Sequence, residues 1–238
     1  MELIKKNKAQ NIDNHKQSGF YRFLRRMVVF FTKPMKTIWE VPFEGHPSVF
    51  VCNHDRALGP IAMAAHFELF KDIRPWINAQ VLSPKQAPAY IRRDYWWDTS
   101  KWYSPIFSYT VAYIYAILIS VILHGSGCVP VYHDTAVMAT LRNSVKALQD
   151  GKHLLLFPEH PTGYHTYAEK IFDGFVSVGR LYNARTKEIV YFYPTFTDWK
   201  AKTIRVGKPI PYNPSVKYEQ QVADICSAVE NYFAEYNI

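Results

Sequence analysis

The sequence predicts an α/β fold: a single domain with a mixed or largely parallel central sheet flanked by helices, preceded by an N-terminal amphipathic helical segment. Short apolar runs, such as 47–52 and 154–157, are typical of strands buried on both faces. Helical patterns alternate with these runs, as they do where helices connect parallel strands. Hydrophobic residues make up 48% of the chain, which is enough for a core and excludes a disordered or fibrous protein.

The individual elements follow from hydrophobic spacing and from turn residues. Strands are predicted at 47–52, 128–132, 154–157, 188–196 and 203–206, and helices at 19–33, 61–70, 137–150, 174–182 and from 213–214 onward. Pro60 is expected at the first position of its helix, where a proline gives up no hydrogen bond. Asp134 or Thr135 is expected to cap a helix that ends at Gly151.

We expect one domain, 38–238, with a basic amphipathic segment, 1–37, before it, because the chain shows no internal repeat and no flexible linker. The three cysteines, Cys52, Cys128 and Cys226, are widely spaced. They predict neither a disulfide framework nor a metal site, and they suit a reducing compartment. No pattern of a cleaved signal peptide is seen.

The formal net charge of +8 is concentrated near the N-terminus. The first 40 residues carry nine basic and three acidic side chains, which leaves only +2 for the other 198. Bulky apolar residues recur at helical spacing between Arg22, Arg25, Arg26 and Lys33. Such a helix can lie on an anionic membrane, or it can dock on the core with a solvated basic edge. Nucleic acid is not expected as a partner, because no nucleic-acid motif accompanies these residues.

An uncharged stretch of 32 residues runs from Trp102 to His133. Its part 106–123 is almost wholly apolar and would reach about 27 Å as one helix, close to the roughly 30 Å hydrocarbon core of a bilayer. Tyrosines and tryptophans precede it, as in an interfacial aromatic belt. The helix could cross a membrane, insert at its interface or be buried in the fold. We favour the last two, because a crossing would separate two halves that are expected to form one site.

Two polar residues that follow predicted strands are candidates for chemistry. His54 comes directly after the strand 47–52, and Glu159 follows the strand 154–157 and Pro158. Ligands of open α/β sheets bind at the carboxyl ends of strands, so the two side chains could converge on one cleft. A histidine there can act as a general base, since its ordinary pKa lies near neutrality, or it can serve as a structural hydrogen-bonding group.

Five short blocks occur in a fixed order along 38–236. They are Asn53-His54, the segment 127–133, Phe157-Pro158-Glu159, the strand 190–194 with its proline, and the Val-Gly-Lys-Pro-Ile of 206–210. None is specific alone, but their order resembles the glycerolipid acyltransferase superfamily, of the 1-acylglycerol-3-phosphate acyltransferase type. The resemblance implies an acyltransferase in which His54 is the catalytic base.

The aspartate of the family motif is missing at its expected place. It stands five residues after the histidine, which is Gly59 in this chain. In the family this carboxylate orients the imidazole and stabilises the charge that it gains. Asp55 or Glu159 could take over that role here.

The family's phosphate-binding arginines are replaced as well. The arginine that ends the second block falls on His133, and the residues after Glu159 read His160-Pro-Thr162-Gly. Arg56 is the nearest remaining arginine and could compensate, since a guanidinium binds phosphate bidentately. The expected substrate-binding residues are therefore Arg56, His133, His160 and Thr162. The alternative for Arg56 and the two histidines is a surface position without a role in binding.

The resemblance implies an O-acyltransferase with His54 as the catalytic base. Glu159 and Asp55 complete the set of expected catalytic residues, as the two candidates for its carboxylate partner. The acceptor is a lysolipid or a glycerol-phosphate-type alcohol, and the donor is the thioester of acyl-CoA or an acyl carrier protein. No metal or other cofactor is required, and the expected place is the cytoplasmic face of a membrane bilayer. The alternative is a weakened or inactive relative that binds lipid at the membrane. A serine hydrolase is not supported, because the chain has no Gly-x-Ser-x-Gly elbow.

Overall fold

A mixed sheet, whose strands are mostly parallel, runs through the middle of the protein. The computed structural model describes residues 17–54, 58–93, 102–133, 136–158 and 171–236. Within these ranges the sheet has eight strands: β1 Lys36–Trp39, β2 Ser48–Cys52, β3 Ile73–Asn78, β4 Val129–Val131, β5 His153–Leu156, β6 Tyr191–Asp198, β7 Thr203–Val206 and β8 Ile210–Pro211. Their order is β1-β7-β6-β2-β5-β3-β4, and β8 pairs with β6. The predicted fold class is confirmed.

Parallel pairing joins the strands that carry the candidate site. β2 lies between β5 and β6 and is parallel to both, and β3 is parallel to β5 and to β4. β6 is antiparallel to β7 and β8. Because β2, β5, β3 and β4 all point the same way, the chain leaves each of them at one edge of the sheet. We call this the carboxyl edge.

Helices cover both faces of the sheet. They are α1 Gly19–Phe31, α2 Leu58–His66, α3 Ala79–Leu82, α4 Ala87–Arg93, α5 Ser104–Tyr109, α6 Val111–His124, α7 Val137–Gln149, α8 Ser177–Thr186 and α9 Tyr218–Tyr236. α7, α8 and α9 pack on one face, over a core that includes Val49 and Val51 of β2. α2 packs on the other face, over Phe50 and Cys52. β2 is therefore buried on both sides, as its continuous apolar run predicts.

Most predicted elements are present, several with shifted ends. β7 has the predicted bounds, and α7 ends before Gly151, whose φ is +70°. The residues proposed to cap α7, 134–135, lie outside the described ranges. α2 begins at Leu58, so Pro60 is its third residue and not its first. The C-terminal helix begins at Tyr218, because Asn213 Oδ1 accepts a hydrogen bond from the Ser215 N–H and forms a turn instead.

Strand β3 is absent from the sequence-based prediction, and its sequence contains Pro75. A proline in an inner strand removes a donor from the ladder. In the structure β5 pairs with 73–75 and β4 pairs with 76–78. Pro75 thus lies where pairing with one neighbour ends and pairing with the other begins.

The apolar segment 106–123 forms two helices instead of one. α5 ends at Tyr109 and α6 begins at Val111, with a non-helical backbone at Thr110. The Thr110 hydroxyl donates to the Ile106 carbonyl at 2.7 Å, a local bond that competes with helix continuation. No helix in the described part of the chain is long and apolar enough to cross a membrane.

The N-terminal helix is also present, as α1. Ser18 caps it by accepting a hydrogen bond from the Tyr21 N–H.

β1 begins at Lys36 and pairs with β7, so this strand runs across the predicted boundary between 37 and 38.

We expect the stability of the fold to fall on acidification, in part through His153. Burial lowers the pKa of this side chain below its ordinary value of 6.5; Asp72 acts against this shift and Lys152 acts with it. As the pH falls, the unfolded chain takes up a proton at His153 while the folded protein keeps the side chain neutral. The free energy of unfolding is therefore unaffected by His153 above about pH 6.5 and decreases as the pH falls below that value.

The check is urea unfolding from about pH 8 to about pH 5. His153→Gln should lose less of its free energy of unfolding over this interval than the unsubstituted protein. Equal losses in the two proteins would contradict a role for His153.

Candidate active site

His54 is the first exposed residue after a fully buried strand. It follows Asn53 at the carboxyl edge, where β2 has ended at Cys52. Its imidazole meets the ring of Phe157 edge to face, with 5.3 Å between the ring centroids. The histidine is therefore accessible to a ligand and is held beside the end of β5, as the sequence predicts for a site at the strand ends.

The register of β2 and β5 brings the two predicted catalytic segments to the same level. Val51 pairs with Leu156, and continuing this register pairs Asn53 with Pro158. Neighbouring strands are about 4.8 Å apart. Pro158, the residue before Glu159, thus lies beside the residue before His54. Glu159 itself lies outside the described ranges.

A buried amide fixes the point at which the chain leaves β2. Asn53 is fully buried, and its Oδ1 accepts hydrogen bonds from the Thr197 N–H at 2.7 Å and the Thr197 hydroxyl at 3.0 Å. Its Nδ2 donates to the Thr197 carbonyl at 3.2 Å. Both ends of the amide are thus paired with one residue of β6, and the backbone that carries His54 is tied to the sheet.

Gly59 packs directly against this backbone. Its N–H donates to the His54 carbonyl at 3.1 Å. A Cβ at this position would lie 2.5 Å from the His54 carbonyl oxygen and 2.6 Å from that of Asn53. The structure therefore explains why this position is a glycine: any side chain here requires the His54 backbone to move.

His133 lies at the same edge but farther along the sheet. It is exposed and comes two residues after the end of β4. Two strands, β5 and β3, separate β4 from β2, so three strand spacings place the two ends roughly 14 Å apart. The two histidines are too far apart to share one proton, but an extended substrate could contact both.

Phe172 connects the regions around the two histidines. Its N–H donates to the Pro158 carbonyl at 2.7 Å, which fixes Phe172 beside Pro158 at the carboxyl edge. Its ring meets the His133 ring edge to face, at 6.1 Å between centroids. Phe157 and Phe172 thus give the edge an apolar component between the two imidazoles.

Of the predicted site residues, only His54 and His133 lie in the described part of the chain. Asp55, Arg56, Glu159, His160 and Thr162 lie outside it. Within the described ranges no group of three or more histidine, cysteine, aspartate or glutamate side chains could hold a metal ion.

Sequence reasoning missed Thr197 and Phe172 and assigned no positioning role to Asn53. An asparagine directly after five buried strand residues is a signal for such a role, because a buried amide requires partners. No local pattern identifies Thr197 or Phe172, since both meet the site from distant parts of the chain.

Replacing Asn53 by alanine should destabilise the protein by about 2–4 kcal/mol, because the buried Thr197 N–H and carbonyl lose their partner. Urea unfolding measures the difference. The control is Asn213→Ala, which removes one exposed hydrogen bond to the Ser215 N–H and should cost less than about 1 kcal/mol. Similar losses in both variants would contradict the role given to Asn53.

Gly59→Ala should destabilise the protein by about 1–3 kcal/mol or more, because the added methyl group overlaps two backbone carbonyls. Gly19→Ala is the matched control: no atom lies within 4 Å of a Cβ there, and alanine favours a helix by up to about 1 kcal/mol. Thermal unfolding compares the two. A Gly59→Ala protein as stable as Gly19→Ala would show that the close contact at Gly59 is not required.

Comparison with known proteins does not supply a family for the chain. A scan against protein-family models found no match, and a search of curated proteins found no significant one. The residues at the carboxyl edge are therefore the structural basis for a proposed function.

Proposed function

We propose that the protein is an O-acyltransferase in which His54 is the general base. The observation that carries the proposal is the register of β2 and β5, which sets an exposed histidine beside the segment that leads into Glu159. The order of short blocks along the sequence points to the same chemistry. The proposed donor is an acyl thioester of CoA or of an acyl carrier protein, and the proposed acceptor is a lysolipid or a glycerol-phosphate-type alcohol.

The proposed reaction needs only proton transfer and oxyanion stabilisation from the protein. His54 takes the proton of the acceptor hydroxyl as its oxygen attacks the thioester carbonyl. The tetrahedral intermediate then expels the thiolate, which takes the proton from the imidazolium. An ester bond forms, the thioester bond breaks, and His54 returns to its neutral state. Neither a covalent acyl-enzyme nor a cofactor enters this scheme.

A carboxylate is needed beside the imidazolium, and Gly59 does not supply it. We assign this role to Glu159 first, because the residue before it is level with Asn53. Asp55 is the second candidate, since it follows His54 directly in the chain. A carboxylate that accepts a hydrogen bond from the imidazole holds the ring in one tautomer and stabilises its charged form.

We assign substrate binding to His133 at this edge and to the other polar residues that the sequence predicts for it. His133, roughly 14 Å away along the sheet, suits the far end of an extended acceptor. Arg56, His160 and Thr162 are proposed to contact the polar part of the same acceptor, because they belong to the segments that follow His54 and Glu159.

A second candidate function is lipid binding without turnover. It is favoured by one observation, the contact of Gly59 with two backbone carbonyls, which leaves no room for the family's aspartate. In that case the same edge would bind a lysolipid or an acyl thioester and release it unchanged.

The test is a transfer assay with a long-chain acyl-CoA and a panel of lysolipids and glycerol 3-phosphate. Release of free thiol and formation of the acylated product should both be seen, the second by mass spectrometry. His54→Gln should lower the rate by at least about a hundredfold, because the proton acceptor is gone.

His46→Gln is the matched control for this assay. His46 lies just before the amino end of β2 and stacks on Tyr191, so the substitution leaves the carboxyl edge intact. Equal rates for the unsubstituted protein and His54→Gln would overturn the role of His54. Tight lysolipid binding without product would instead support the second candidate.

A further inference from the structure

α1 is attached to the protein by one side only. Arg25 anchors it: its Nε and Nη2 donate to the Ala64 and Ala65 carbonyls near the C-terminal end of α2, at 3.0 and 2.7 Å. The same guanidinium lies 3.2 Å from the centroid of the Phe70 ring. Arg25 thus holds α1 against α2. It is therefore not among the basic side chains that are available to a partner.

The opposite side of α1 is apolar and basic, and it is exposed. Phe23 and Phe30 are 55% and 80% exposed, and Met27 lies between them on the same side. Arg22, Arg26 and Lys33 are exposed beside this stripe. Between 17 and 39 the chain has no acidic residue. A helix that packed only against its own fold would turn its apolar residues towards the core and its charged residues towards solvent.

α6 is also covered on one side only. Ala116 packs against Ala87 and Ile91 of α4. The other side presents an apolar row at helical spacing, and its most exposed member is Ile114, at 69%. The row consists of Val111, Ile114, Leu118 and Val121. A contiguous exposed apolar row of this kind is typical of a surface that contacts an apolar partner.

The two exposed sides belong to neighbouring helices. The Ser18 N–H, at the start of α1, donates to the Gly125 carbonyl, at the end of α6, at 2.8 Å. A Cβ on Gly125 would lie 2.4 Å from the Ser18 hydroxyl oxygen, so the helix ends are in close contact. The two exposed apolar rows are therefore carried by helices whose ends are joined at this junction.

We propose that the exposed sides of α1 and of α5–α6 form one docking surface for an anionic lipid bilayer, with these helices lying in its interface. The charges favour a lipid bilayer over a second copy of the chain as the partner of this surface. The surface carries cations from α1 and no acidic residue, and 102–133 carries no charge at all, so two copies would face each other without compensation. Anionic headgroups supply that compensation, and Trp102 and Tyr103, both exposed, are residue types that prefer the interface.

α2 lies between this surface and the carboxyl edge. Leu58 and Ile61, in the first turn of α2, are also exposed apolar residues, and α2 begins a few residues after His54 and packs beside α1. The inference stands without the proposed chemistry, because it rests on α1, α5 and α6 alone.

The test is co-sedimentation of the full chain with vesicles of phosphatidylcholine, with and without phosphatidylglycerol. We expect binding to the anionic vesicles that weakens as salt is added. Phe23→Ser with Phe30→Ser, and separately Ile114→Asn with Leu118→Asn, should weaken binding by about tenfold or more. Arg22→Gln with Arg26→Gln should weaken binding to anionic vesicles by a similar factor and leave any binding to neutral vesicles unchanged.

The matched control is Val137→Ser with Met138→Ser. These two residues begin α7 and are exposed to a degree similar to that of Met27, but they lie outside the docking surface. The control should bind vesicles like the unsubstituted protein. If it loses as much affinity as the α1 and α6 variants, the proposal is overturned, because exposed apolar area in general would then explain the binding.

A conservative substitution covers the case in which an α1 or α6 variant fails to fold. Trp102 is 85% exposed, so vesicles with brominated acyl chains should quench its fluorescence, and Trp102→Phe should reduce that quenching. No quenching in the unsubstituted protein would overturn the proposal.

The oligomeric state in solution tests the other occupant, a second copy of the chain. The proposal is overturned in favour of a second copy if the protein is a dimer, if the Phe23 and Phe30 substitutions convert it to a monomer, and if they leave vesicle binding unchanged.

Discussion

The hydrogen bonds between the Asn53 amide and Thr197 are the interaction on which the candidate site depends. They join the end of β2 to β6 in a place from which water is excluded. A buried amide without partners costs about 1–3 kcal/mol for each group left unpaired, so the chain has one favourable path as it leaves the strand. That path presents His54 at the surface and brings the first turn of α2 back onto the His54 carbonyl through Gly59. The position of the histidine is thus set by groups that do not themselves reach a substrate.

The same close packing explains how this site can differ from the pattern that it resembles. With Gly59 in contact with two carbonyls, the proposed mechanism takes the carboxylate for the imidazole from Glu159 or Asp55 instead. Parallel pairing of β2 with β5 offers one, because it brings the residue before Glu159 level with the residue before His54. The hydrogen bond from Phe172 to Pro158 returns the chain to that edge after 170. In the proposed function, the Glu159 alternative would thus supply the acid–base partner across two strands instead of along one helix.

The proposed lipid surface and the candidate site are connected through α2. The C-terminal end of this helix receives Arg25 of α1, and its first turn carries exposed Leu58 and Ile61 close to His54. A protein held at a bilayer by α1 and α6 would thus hold the first turn of α2 near the same interface. Acyl chains are insoluble in water, so a site beside the interface would shorten the path that such a substrate takes.

The sequence by itself determined the alternation of strands and helices, the doubly buried β2 and β5, the basic amphipathic α1 and His54 as a candidate at a strand end. Each of these follows from spacing over a few residues. It did not determine β3, because Pro75 argues against a strand until pairing with two neighbours is known. Only the tertiary structure decided that Asn53 pairs with Thr197, that Pro158 lies level with Asn53, that Gly59 has no room for a side chain, and that Arg25 is used inside the fold. The physical reason is that these are contacts between segments far apart in the chain, and local spacing carries no information about which distant segment will be the neighbour.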